Sequence, residues 1–460
     1  MSMKIYYIII AMIVLLTPSC QKYVDIPTNS TTGRLETAKD CQLLLDNDAV
    51  MNEGYPNDGE LSADDLYLKD EGFQASTLDQ SDRDLYVWSK NAIRASSDPQ
   101  WLKPYYTVYY ANLVLEQVDK LESKGGADQI TLNTLRGSAL FFRAFAFWQL
   151  AQIYAPPYST TSSNQDLGLP LKLNSDISQK PTRSSVSDTY LQILKDLNES
   201  SNLLPETSLV PTRPNKAAAY AMLARVYLSK EDYSEAFIFS NLSLKLNNKL
   251  LSYSSLQMND ESAFFNAFNN EVIFHAVTNG NSVAINPFDI GRIDPELCNL
   301  YQDNDLRKTV IIAPVGDGSF RFIGNYAGGT ASSKLFVGLA TDELYLIRAE
   351  CNARANRVVE AMEDLNILLK NRFTEPYTDL TAADSDKALT YILMERRKEL
   401  LMRGLRWTDL RRLNRDTHYA KTLKRIVMGD SYILPPNDIR YTLLIPNEVI
   451  VNGIIPQNVR

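Results

Sequence analysis

Two runs between residues 101 and 154 constrain this chain more than any other feature. In 101–122, Tyr106, Tyr109, Tyr110, Leu113, Val114 and Val118 recur at three- and four-residue spacings. In 131–154, Leu135, Phe142, Phe145, Ala146, Gln149 and Ile153 do the same. That period puts each set on one face of an α-helix. Gly125-Gly126 separates the runs and Pro156-Pro157 stops the second, so the pattern predicts an antiparallel helical hairpin. A third helix is expected over about 187–203, with Ser185 or Ser187 as its N-cap and Pro205 beyond its end.

Residues 214–247 carry Tyr220-x2-Leu223-Ala224-x2-Tyr227 followed by Ala236, the spacing of a tetratricopeptide helix pair. Small Ala224 and Ala236 allow close helix approach, and Tyr220 and Tyr227 fill the groove beside them. A weaker copy at 341–371 keeps Tyr345, Ala349, Ala361 and Leu365 in register. A last helical stretch over 386–415 is expected to break at Gly404. Between 250 and 340 the periodicity fades, Gly and Asn become frequent, and short β-like runs appear at Glu271–Thr278 and Thr309–Pro314. The expected fold is mainly α: a tetratricopeptide-like helical scaffold with loop-rich, partly β insertions, its helix pairs packed about one core.

Composition removes several functions. With 47 basic against 55 acidic residues the net charge is −8, and no basic excess exists to neutralise nucleic-acid phosphates. Two histidines, His275 and His418, cannot build a histidine-rich metal centre and leave little choice of base for a serine hydrolase. No GxSxG, GxxxxGK[ST] or GxGxxG motif occurs. A metal and a cofactor are therefore not expected, while the 55 acidic residues leave a glycosidase pair of carboxylates open. The 25 tyrosines outnumber the 16 phenylalanines and 4 tryptophans together. Tyrosine suits wet binding surfaces as well as cores.

The N-terminus bears on location. Lys4 precedes the twelve-residue apolar run Ile5–Leu16, which is too short to span a bilayer and has the length of a signal-peptide core. Thr17-Pro18-Ser19-Cys20 follows, small residues before a lone cysteine. The expectation is a signal peptide at 1–19, lipidation of Cys20, and a polar tether over 20–36 leading into one helical domain at 37–460. Cys41, Cys298 and Cys351 allow one disulfide at most and are expected to be buried free thiols.

Several blocks, taken in order, resemble the SusD/RagB family of nutrient-uptake outer-membrane lipoproteins. They are Tyr23-Val24-Asp25-Ile26-Pro27 after the cysteine, Trp101…Tyr105…Asn112, Arg143-Ala144-Phe145-Ala146-Phe147 and Gly168-Leu169-Pro170-Leu171. Lys216–Leu228, Tyr345–Glu350, Glu395–Leu400 with Gly404–Arg412, and Ile445-Pro446-Asn447-Glu448 continue the series. Arg403, Leu405 and Thr408 depart from the family pattern near Trp407. The resemblance implies a lipid-anchored, surface-exposed protein of the outer membrane. It would capture an oligosaccharide or polysaccharide and hand it to a SusC-like TonB-dependent transporter, breaking no bond. A lipid-anchored tetratricopeptide scaffold for protein partners and a surface glycan hydrolase are the alternatives.

Sugar recognition uses flat aromatic faces with amides, carboxylates and Arg around them, chemistry that irregular surface segments supply. Two segments qualify. Residues 60–88 offer Asp65, Tyr67, Phe73, Arg83 and Trp88, with Asp64 and Tyr86 nearby; the 250–340 insertion offers Phe320, Arg321, Phe322, Asn325 and Tyr326. The charge-dense Glu395–Arg412 block reads as structural, its Glu395/Glu399 and Arg406/Asp409 spacings suiting ion pairs along a helix. Arg348 and Glu350 take the same structural reading.

Overall fold

A computed structural model describes residues 35–95, 98–256, 265–280, 282–285, 289–328 and 334–460. The expected signal peptide, Cys20 and nearly all of the tether lie outside the described residues.

A stack of helices forms the scaffold. After α1 (Ala38–Leu45) come the long pair α2 (Pro99–Lys124) and α3 (Gln129–Tyr154). The boundaries have local causes. Asp98 caps α2 with Pro99 in its first turn, Gly125 ends it in the left-handed conformation at φ +62°, and Asp128 caps α3. Next come α4 (Val186–Leu203), capped by Ser185, then α5 (Lys216–Ser229) and α6 (Tyr233–Leu246). The last group is α7 (Thr341–Arg354), α8 (Val358–Leu369), α9 (Ser385–Glu399) and α10 (Arg406–Leu413). From α2 to α8 each helix packs on its successor, and α9 joins α7. The tetratricopeptide-like scaffold expected from spacing is present, and the late break falls at Gly404, φ +75°.

From Gly137 onward α3 is buried on every side. Phe141, Phe142 and Phe145 surround Phe274 edge-on, with ring centroids 4.7–5.7 Å apart. Each such ring contributes about 1.5–3 kcal/mol on removal from water, so this helix is the axis of the core and Phe274 pins the insertion to it. Ala224 and Ala236 are fully buried, as close packing requires. Tyr220 and Tyr227 sit at the edge of that pair instead of inside it, and Tyr227 stacks on Phe239 at 5.5 Å. Despite the departures around it, Trp407 is buried, 4.6 Å from the Tyr441 ring.

Short two-stranded ladders tie the insertion to the segment before α2. Glu53–Tyr55 pairs in parallel with Val277–Thr278, and Leu66–Leu68 pairs antiparallel with Gly291–Ile293. Ile312–Pro314 and Phe320–Phe322 form a hairpin that packs on Gly291–Ile293. Val272–Phe274 pairs with Leu339–Ala340 at the start of α7. A final hairpin, Leu423–Val427 with Asp430–Leu434, forms in the C-terminal region.

Buried ion pairs lock these parts together. Arg307, in the insertion, donates to Asp305 at 2.8 Å, Glu395 at 2.6 Å and Glu399 at 3.0 Å. Arg372 joins Glu399 at 2.7 Å to Glu271 at 2.8 Å. The 395–412 block is therefore structural, but its partners are tertiary. Arg406 pairs with Asp64 and not with Asp409, which is held by Arg396 and Arg412. Likewise Arg348 pairs with Asp364, and Glu350 with Arg412. Cys41, Cys298 and Cys351 are buried free thiols. No helix among the described residues is long and apolar enough to cross a membrane.

Candidate glycan-binding site

The two segments singled out by their aromatics meet. The ladder of Leu66–Leu68 with Gly291–Ile293 sets Tyr67 opposite Arg292, and the 312–322 hairpin packs beside it. The turn of that hairpin is made by Gly316 and Gly318, at φ +93° and +82°, flanking Asp317. A residue with a Cβ is strained at such angles. Val315 N donates to Ser319 O across the turn, which leaves Asp317 at its tip. From there Asp317 accepts a 2.7 Å bond from Lys69 Nζ, linking the segments. That bond and the one from Ser319 hold the Asp317 carboxyl well below the usual carboxylate range.

Lys69, Glu71, Gly72, Ile290, Arg292 and Asp317 enclose an open cavity of about 310 Å³. Tyr67, Phe73 and Phe320, all half-buried, belong to the segments that form it. Phe73 lies 6.0 Å from the Tyr86 ring, and Arg83 fixes the end of its short helix Asp70–Gln74 by donating to Phe73 O at 2.8 Å and Ala75 O at 2.6 Å. Arg83 therefore shapes the site through the backbone. Arg292 Nη1 donates to Asp289 O and Gly291 O, which fixes its guanidinium at the cavity wall. Two acids, Glu71 and Asp317, with Lys69 and Arg292 give the wall donors and acceptors suited to a polyhydroxylated ligand.

Five expected site residues are corrected by burial. Trp88 is 1% exposed, held at φ +53°, with Nε1 donating to Ser62 O at 2.9 Å and the Arg425 guanidinium 4.5 Å over its ring. Phe322 is a core residue. Asn325 is buried, donating to Lys334 O and accepting from Ala327 N and Phe336 N. Tyr326 is buried under Arg403 and donates to Glu271 Oε2. Asp65 is buried against Arg397 at 2.8 Å. Burial opposes ionisation of neighbouring Asp64, but Arg406, Arg397 and Lys421 hold it well below the usual range. These carboxylates are ion-pair partners of the last helices, not hydroxyl acceptors. Conversely, Lys69, Glu71, Ile290, Arg292 and Asp317 line the cavity without having been singled out. Gly-Asp-Gly at 316–318 was a legible turn signal, whereas nothing local marks the others.

No group of three or more potential metal ligands occurs among the described residues. Three carboxyls pushed up by burial are core groups outside the cavity: Asp58 to about 6, Glu271 to about 7 and Glu60 to about 8.

Residues 29–228 match the family model described as "Starch-binding associating with outer membrane", and residues 339–440 match that of the SusD family. A curated relative, SusD-like protein P2 of Formosa agariphila, is 27% identical over 137 residues. That match covers 30% of this chain and only 25% of the relative's length. Two solved structures from Bacteroides vulgatus share the fold. One has TM-score 0.74 and 22% identity, covering 92% of this chain and 98% of its own. The other, a SusD-like carbohydrate binding protein, has TM-score 0.67 and 19% identity, covering 91% and 97%.

Proposed function

The chain belongs to the SusD family, and from that premise we propose that it binds a glycan at the cell surface and passes it on without chemical change. The anchor in this reading is a lipid on Cys20 at the outer membrane, and the recipient is a SusC-like TonB-dependent transporter. The observation that carries the proposal is the meeting of the 66–73 and 290–320 segments. It forms a cavity walled by Lys69, Glu71, Arg292 and Asp317, with Tyr67 paired across the ladder to Arg292 and Phe73 and Phe320 half-buried in the same segments. Rings offer faces to sugar C–H surfaces, and the charged groups offer partners to hydroxyls. The carbohydrate-binding description of the Bacteroides vulgatus relative supports the same reading.

The acid–base chemistry of the site supports binding over hydrolysis. A glycosidase needs a general acid whose pKa is raised beside a second carboxylate. At this cavity Asp317 is shifted the opposite way by Lys69, and Glu60 and Glu271, both raised by burial, lie in the core away from it. The test is affinity electrophoresis of the detergent-solubilised chain through amylopectin, pullulan, laminarin, xyloglucan and galactomannan. Retardation by at least one polysaccharide, abolished in Tyr67→Ala/Phe320→Ala, is the expected result. Free passage through all five defeats the proposal, and steady release of reducing ends defeats its non-catalytic part.

A further inference from the structure

A second groove, sharing no lining residue with the first, lies where the loop before α5, the end of α6 and the start of the insertion converge. Its volume is about 340 Å³, and its lining includes Glu206, Thr207, Asn247, Lys249, Phe268 and Asn270. Phe268 is 51% exposed, which leaves about half of a phenyl ring available to a ligand. The ring is braced nonetheless. It stands perpendicular to His275 at 5.2 Å, and His275 in turn packs on buried Phe336 at 5.7 Å. Burial lowers the His275 pKa to about 4, so the brace is a neutral ring at physiological pH.

The backbone under Phe268 is equally fixed. Asn269 N donates to Asn266 O, Val272 N donates to Asn269 O, and Asn269 Oδ1 accepts from Glu271 N. Glu271 is itself anchored to buried Arg372, so the turn that carries the ring is tied to the ion-pair core. Around the ring the polar groups are unengaged: among the described residues, none bonds to the side chains of Glu206, Lys249 or Asn270. An amide, a carboxylate and an ammonium therefore stand ready beside one rigid aromatic face.

Resting on the glycan-binding reading above, we propose that this groove is a second carbohydrate subsite, for a neutral pyranose unit. The Phe268 ring takes the C–H face of the sugar, while Asn270 and Asn247 amides, the Glu206 carboxylate and Lys249 take its hydroxyls. One free acid balanced by one free base disfavours uronates and sulfated sugars, since neither sign of charge predominates.

The experiment uses the same five polysaccharides with the full chain and three variants: Phe268→Ala, Asn270→Ala and Tyr67→Ala/Phe320→Ala. Phe268 is half-exposed and Asn270 is exposed, so both single variants should keep the wild-type urea midpoint; if Phe268→Ala does not, Asn270→Ala carries the test. The expected result is roughly tenfold weaker retardation by a polysaccharide in the first two variants, equivalent to about 1.4 kcal/mol. Weakening by Tyr67→Ala/Phe320→Ala alone overturns the second subsite and leaves the functional reading standing. Free passage of the wild type through all five overturns both.

Discussion

Lys69 Nζ lies 2.7 Å from Asp317 Oδ2, and this one ion pair bridges surface segments 248 positions apart in the chain. Both side chains are about 40% exposed, so the pair does little for folding. Its consequence is positional, because it sets the turn of the 312–322 hairpin against the short helix Asp70–Gln74 that carries Phe73.

Lys69→Ala should therefore separate stability from binding. The urea midpoint is expected to stay at the wild-type value, while affinity for any polysaccharide that retards the wild type falls several-fold. A shifted midpoint with unchanged affinity would show that the pair is structural instead.

Tyr67 and Trp88 give a sharper contrast. Tyr67 is half-buried beside the cavity, whereas Trp88 is enclosed. Trp88→Ala should lower unfolding stability by about 3–5 kcal/mol and weaken binding only as far as it unfolds the protein. Tyr67→Ala should weaken binding with less than about 1 kcal/mol lost. Parallel denaturation and binding curves for both variants check this.

Arg307 is the buried hub of three carboxylates. Arg307→Ala leaves Asp305, Glu395 and Glu399 with only Lys398 and Arg372 for compensation. The expected loss is about 3–5 kcal/mol, read from urea denaturation. A loss below about 1 kcal/mol would mean that solvent already reaches the cluster.

Stability should fall as pH rises from about 4.5 to 8. Burial holds the Glu60 pKa at about 8, with Asp65 adding to it, and holds Glu271 at about 7. The folded state thus keeps protons that the unfolded chain has released above its ordinary value near 4.5. That contribution is complete below 4.5 and is lost as pH rises through the folded values. His275, lowered to about 4 by burial, opposes part of this decline up to about pH 6.5, since the unfolded chain binds its proton more readily, but it is one group against two. Glu350 also acts oppositely. Burial opposes its charge, but Arg412 and Arg354 bring it down to about 2, so its contribution is present above 4.5 and lost on acidification. Urea midpoints measured between pH 5 and 8 should decline, by an amount on the order of a few kcal/mol, and Glu60→Gln should flatten the decline. A rising midpoint would contradict the buried, protonated state of Glu60.

Local chemistry made most of the scaffold legible. Helical spacing, the Asp98 and Ser185 caps, Gly125, Pro156-Pro157 and Gly404 are short-range signals, and each marks the element or break that the structure contains. The ordered motifs from Trp101 to Arg412 likewise pointed to the family, because such motifs survive in the chain whatever the loops do. The site was legible only as two regions. Tyr67, Phe73 and Phe320 are half-buried in the segments that form the cavity, while Trp88, Phe322 and Tyr326 are enclosed. An aromatic in an irregular segment has no period from which its direction can be read. What decides is the partner it meets: Ser62 and Arg425 for Trp88, Glu271 and Arg403 for Tyr326. The sequence by itself therefore determined the helices and their breaks, and its two histidines left no means of building a histidine-rich centre. Only the tertiary structure decided which rings face outward, because ladders and ion pairs between residues hundreds of positions apart bring the two segments together and choose what each one covers.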